Sequence, residues 1–201
     1  MERPTKEQIS ALPLYIGLGL SNIYIVENEQ QAMDALHVLL TESRLGFDTE
    51  SKPIFQKGQV SPGPSLIQLA TETTAFLFPT RFPCAVAAAK QILTNQNIKK
   101  IGFGIKDDNK ELRNKLNIDI TNTQDLSVTL KQLAGEKNSI GARAAVAMML
   151  GKRLGKGAQK SNWGAYPLKE NQILYAANDA HSAICVERAL VSSRSSSSSA
   201  P

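Results

Sequence analysis

A strand, an amphipathic helix and a second strand follow one another between Ile23 and Phe47, and this order constrains the fold more than any other feature. Ile23–Val26 is apolar and rich in β-branched residues. Gln30–Ser43 places Ala32, Ala35, Leu36, Leu39 and Leu40 at helical spacing, which predicts a helix with one buried face. Arg44–Phe47 then reads as strand. Further on, Ser65–Ala70 and Thr74–Phe78 predict two strands joined by the polar turn 71–73, and Cys84–Leu93 a helix entered after Pro83. Lys100–Ile105 predicts a strand. Asp107–Leu116 predicts a helix whose first-turn acids suit its positive end. The pattern from Asp125 to Leu154 is mostly helical with a break at Gly135–Ser139, and a last helix is expected over Lys169–Leu190. With strands concentrated in the first half and helices in the second, the expected architecture is α/β, a mixed sheet flanked by helices.

The 201 residues are enough for one domain with a proper core. Residues 1–22 read as an irregular leader with one short helix over Lys6–Ala11, 23–190 as the domain, and the serine-dominated 191–201 as a disordered tail. Ser51–Pro64, rich in Pro, Gly, Lys and Ser, reads as a loop or hairpin connection. Cys84 and Cys185 lie in apolar helical surroundings, which fits reduced thiols in a cytoplasmic protein better than a disulfide or a metal site. The apolar run Ala11–Leu20 is interrupted by Pro13, too short to span a bilayer, and lacks a cleavage pattern, so no membrane partner is expected.

The net charge of +5 is compatible with a polyanionic partner. Between Gly151 and Lys160 stand Lys152, Arg153, Lys156 and Lys160 with no acid among them, and these either contact phosphates or form a solvated surface. Trp163 beyond them either stacks on a base or anchors loop to helix. The spacing of Gly151–Ser161 is not that of a nucleotide-triphosphate loop, which excludes such a ligand.

Three acidic sites carry the chemistry. Asp48 and Glu50 end the run Leu45-Gly46-Phe47, and residues two apart in a strand share a face. Paired carboxylates repel unless a cation lies between them, which favours a raised pKa or a metal site. Asp107 and Asp108 follow Ile101-Gly102-Phe103-Gly104-Ile105, where one of them suffices as a helix cap. Tyr175 and Asp179, four apart in Gln172-Ile-Leu-Tyr-Ala-Ala-Asn-Asp-Ala-His181, project from one helical face.

Strand-Asp-x-Glu, then Gly-x-Gly-Ile-x-x-Asp-x-x-x-Leu over Gly102–Leu112, then Tyr-x-x-x-Asp resembles the DEDD exonuclease superfamily, of RNase H-like fold. The tyrosine four before the last aspartate marks its tyrosine subgroup; the histidine subgroup places a histidine where this chain has Leu174, and His181 falls out of register. The similarity runs from Gln30 to Leu190 and includes Leu150-Gly-Lys-Arg-Leu154, Lys160-Ser-Asn-Trp163 and Pro167-Leu. It is strongest towards stand-alone bacterial 3′–5′ exonucleases and the Werner syndrome helicase exonuclease domain, and weaker towards RNase D. The resemblance implies Asp48, Glu50, Asp108 and Asp179 as ligands of two divalent cations, Mg²⁺ or Mn²⁺, with Tyr175 beside the attacking water. Its Gly-Ile-x-x-Asp spacing selects Asp108 over Asp107. Thr49, Lys156, Lys160 and Trp163 are its candidate substrate contacts. The implied activity is metal-dependent 3′–5′ exonucleolysis of a nucleic-acid 3′ end, releasing nucleoside 5′-monophosphates. DNA is slightly favoured because no tandem helical RNA-binding domain follows. The alternatives are RNase D-like RNA processing and a non-catalytic nucleic-acid-binding module.

Overall fold

A computed structural model describes residues 2–53, 60–155 and 157–197, the side chains of 194–197 excepted. The middle of the Ser51–Pro64 connection and Lys156 therefore lie outside the described residues. The strands are β1 (Ile23–Ile25), β2 (Arg44–Ser51), β3 (Pro64–Ala70), β4 (Ala75–Pro79), β5 (Lys99–Gly102) and β6 (Thr123–Asp125). The helices are α1 (Lys6–Ala11), α2 (Glu29–Leu39), α3 (Pro83–Leu93), α4 (Lys106–Leu116), α5 (Leu126–Ala134), α6 (Ala142–Leu150) and α7 (Glu170–Ser197).

The strands form one mixed sheet in the order β1-β4-β3-β2-β5-β6. β3 runs antiparallel to both neighbours, and the other pairings are parallel. Pleat alternation divides β2 between two layers. Leu45 and Phe47 enter a core with Ala35 and Leu39 of α2, Ala88 and Ile92 of α3, and Leu112 of α4. Gly46 faces the other way, against the backbone of Ala180 in α7. On that side Leu66, Ala70 and Leu77 pack on Ala176, Ala177 and Ala180, so α7 lies across the sheet on a seam of small residues. The far half of α7 completes a third cluster with α5, α6 and Ile101.

The expected mixed α/β sheet is present, with corrections at its edges. α2 ends at Leu39, because the chain must turn for Ser43 to accept the Lys99 N–H beside β5. β5 stops at Gly102, and the chain bends at Gly104 (φ +66°) so that Ile105 enters the core as the residue before α4. β6 was not expected; its three polar residues carry no alternation to reveal it. Backbone pairing with β5 defines it instead. α7 continues past Leu190 to Ser197, where the sequence suggested disorder from 191. Extending an existing helix costs far less than starting one, and serine tolerates it.

The 1–22 segment is woven into the body. Arg153 Nε donates to the Leu12 carbonyl (2.9 Å), and the Tyr15 N–H donates to the Arg153 carbonyl (2.9 Å). The Leu18 N–H donates to Asn178 Oδ1 (2.7 Å), and the Asn178 amide returns a bond to the Leu18 carbonyl (3.2 Å). Tyr15 Oη lies 2.7 Å from His181 Nδ1.

Candidate active site

β2 carries Asp48 and Glu50 on its α7 face, at the end of the strand where pairing with β3 shifts register between Glu50 and Ser51. α7 brings Tyr175 and Asp179 over the same end. Its approach depends on Gly46, where a Cβ would lie 2.0 Å from the Ala180 carbonyl oxygen. Asp108 arrives from the opposite layer, in the first turn of α4, and reaches the group round the end of β2. There Thr49, pointing to the α4 side, donates its hydroxyl to the Asp108 carboxylate. The Thr49 N–H also donates to Asp48 Oδ1 (2.9 Å). Thr49, a candidate substrate contact by sequence, is thus engaged in orienting two of the acids.

The electrostatics tie Asp48 and Glu50 to the other two acids. Burial first, then the charges of Asp179, Asp108 and Glu50, push the Asp48 carboxyl well above the usual range. Glu50 is pushed up to about 8, again by burial first and then by Asp179 and Asp108. Burial raises Asp108, with the Thr49 hydroxyl opposing and the charges of Asp107 and Asp125 adding. Asp179 is raised by burial to about 6, held down by a hydrogen bond from Tyr175 and by the charge of Arg143. Burial and then the Asp179 charge drive the Tyr175 phenol up, away from any role as a base.

Of the two α4 acids, Asp107 is exposed and Asp108 is half-buried against Thr49, which favours Asp108 as the member of the set. Lys160 is exposed and Arg153 is occupied by the leader backbone. Trp163 is 2% exposed, with its ring centroid 6.1 Å from that of Tyr175. It supports the tyrosine, and base stacking on an open face does not fit that burial. Two participants escaped the sequence reading. Arg143 of α6, held by Gln159 (3.0 Å), is the cation acting on Asp179, and Asp125 raises Asp108 while capping α5. Neither belongs to a local pattern, so no sequence signal marked them.

Four carboxylates raised by burial, two of them (Asp48 and Glu50) also by the charges of the others, make a donor set of oxygens suited to hard divalent cations. Among the described residues no three His, Cys, Asp or Glu side chains stand, as placed, close enough together to hold a metal ion. The turn of Asp108 onto Thr49 accords with that spacing.

The sequence profile of the 3′–5′ exonuclease family matches residues 23–193. The chain belongs to that family, and to its DEDD type. It is 30% identical over 152 residues to the mouse bifunctional 3′–5′ exonuclease/ATP-dependent helicase WRN, covering 73% of this chain and 11% of that protein. An Arabidopsis thaliana 3′–5′ exonuclease is 26% identical over 167 residues, covering 77% and 57%. The chain thus spans about a tenth to just over half of these relatives' lengths. Among solved structures, the Aedes aegypti Nibbler exonuclease domain superposes with a TM-score of 0.74 at 25% identity, covering 86% of this chain and 88% of that one. Escherichia coli RNase D superposes with a TM-score of 0.71 at 21% identity, covering 86% and 45%. The fold of this chain is therefore RNase H-like.

Proposed function

We propose that the chain removes nucleotides one at a time from a nucleic-acid 3′ end, with two divalent cations, Mg²⁺ or Mn²⁺, at the grouped acids. The observation that carries this is the convergence of Asp48, Glu50, Asp108 and Asp179, with Tyr175 beside them, in a member of the exonuclease family. The four carboxylates would hold the cations, which when bound supply hydroxide near neutral pH and compensate charge on the leaving 3′ oxygen. Four ionised acids bring about −4, matching two divalent charges.

The rest of the work falls to this chain's side chains. Tyr175, bonded to Asp179 and backed by Trp163, keeps its proton and aims a water through its Oη. Ionised Asp48, Glu50, Asp108 and Asp179 are needed together, so cation binding would release the protons that the raised acids hold in the metal-free site. Thr49 holds Asp48 through its N–H and Asp108 through its hydroxyl, which orients both carboxylates.

The substrate is DNA or RNA. The WRN relative is a bifunctional exonuclease and helicase, whereas Escherichia coli RNase D is an exoribonuclease involved in structured RNA processing; both fit this site. The deciding experiment uses 3′- and 5′-labelled DNA and RNA oligomers with Mg²⁺, Mn²⁺ or EDTA. Metal-dependent laddering from the 3′ end, lost in Asp108→Asn, is the expected result. No digestion of any oligomer, with Asp108→Asn equal to wild type, removes the proposal.

A further inference from the structure

Beyond Trp163 from the acids, a cleft of about 320 Å³ opens at the same end of the sheet. It joins the site in two ways. Leu66 in its wall pairs with Glu50 across β2 and β3, and Trp163 in its lining packs near the Tyr175 ring. Arg81, just after β4, is exposed and also lines the cleft. β4 lies two strands from β2, so Arg81 stands on the order of 10 Å from the strand of acids, counting strand spacings.

The chemistry of this cleft is the reverse of the acid site. No carboxylate lines it. The Arg81 guanidinium lies 4.7 Å from the centroid of the Tyr166 ring, and among the described residues it has no ion-pair partner. Stacking on a ring holds the guanidinium plane while leaving its N–H groups free for an anion. The Lys52 stem lies over Gly164, where a Cβ would be 3.2 Å from Lys52 Cδ, which adds a second cation at the rim. Trp163 Nε1, buried in the cleft lining, has no acceptor among the described residues. A cleft with two cations, an aromatic face and an unmatched donor suits a nucleotide with its phosphate.

The polarity of the strand follows from the reaction. A 3′-terminal nucleoside carries no phosphate beyond the one being cleaved, whereas the chain on the 5′ side carries one at every step. Resting on the exonuclease reading above, we propose that this cleft holds the strand on the 5′ side of the scissile bond. Arg81 takes a backbone phosphate there and Tyr166 packs against the same nucleotide. Arg81 is thus a substrate-positioning residue outside the acid constellation.

The test compares a single-stranded oligonucleotide with the 4-nitrophenyl ester of thymidine 5′-phosphate, which has a terminal nucleoside and a cleavable phosphodiester but no 5′-side nucleotide. Arg81→Ala lowers kcat/KM on the oligonucleotide at least tenfold more than on the ester, chiefly through KM, and Arg81→Lys recovers part of the loss. The slope of log KM against log salt falls by about 0.7, as for one single-strand phosphate contact. Equal losses on both substrates, or no loss on either, overturn the proposal while leaving the exonuclease reading intact. A wild-type protein that cleaves neither substrate overturns that reading and the proposal with it.

Discussion

Gly46 in β2 lies against Ala180 in α7 so closely that a Cβ would come within 2.0 Å of the Ala180 carbonyl oxygen and 3.3 Å of the Ile184 nitrogen. The clash is with backbone, which no rotamer change relieves. That contact sets the height of α7 above β2, and through it the distance from Asp179 to Asp48 and Glu50. Gly46→Ala is expected to destabilise the fold by about 3 kcal/mol or more, the upper range for overpacking. A variant of unchanged thermal stability with full activity contradicts this account of the helix–strand approach.

The metal-free site gives a pH dependence whose sign follows from the raised acids. Glu50 sits at about 8 folded against 4.5, and Asp179 at about 6 against 3.8. The folded protein therefore holds protons that the unfolded chain releases. This contribution is fully present below about pH 4 and is lost as pH rises through about 6 and then about 8. In EDTA the Tm is expected to fall between pH 5 and 8.5, and Mg²⁺ at the higher pH restores it. Glu50→Gln raises the pH 8 Tm in EDTA by about 2 °C or more while abolishing activity. Thermal melts with and without metal decide the matter, and a flat Tm across this range counts against acids raised by burial and neighbouring charge.

Tyr175→Phe keeps the ring against Trp163 and removes only the hydroxyl. The expected result is a fall in kcat of about 10²-fold, the scale of a lost positioning or proton-handling group, with metal affinity by titration calorimetry little changed. Turnover equal to wild type takes the tyrosine out of the mechanism.

Asn178 sits between Tyr175 and Asp179 in sequence but faces the leader, bonding both the N–H and the carbonyl of Leu18. Asn178→Ala leaves both groups without those partners and is expected to cost about 1–3 kcal/mol. Gly17→Ala attacks the same joint from the other side, since Gly17 has φ +58° and a Cβ there would meet Asn178 Oδ1 at 1.8 Å. Both variants should speed proteolysis of the first 22 residues; native-like protection in both would show that the leader docks by other contacts.

The face shared by the candidate acids was legible where spacing alone defines it. Asp48 and Glu50 share a face because they are two apart in a strand, and Tyr175 and Asp179 because they are four apart in a helix. Asp108 over Asp107 was legible only through the family's spacing; the physical reason, exposure of one and the Thr49 contact of the other, needed the structure. Trp163 could be read either way until its burial was known. β6 and the docking of residues 1–22 were not legible, because backbone pairing and a lone asparagine leave no periodic trace.

By itself the sequence determined the layered α/β class and put forward the acids and the tyrosine as candidates, since period and residue type are local properties of the chain. Tertiary structure decided how the acids meet: Asp108 comes round the end of β2 from the opposite layer, while Asp179 rides on α7 above Gly46. It also decided that Thr49, Arg143 and the leader take part. These depend on which distant segments pack together, and that is set by burial and close approach across the whole fold.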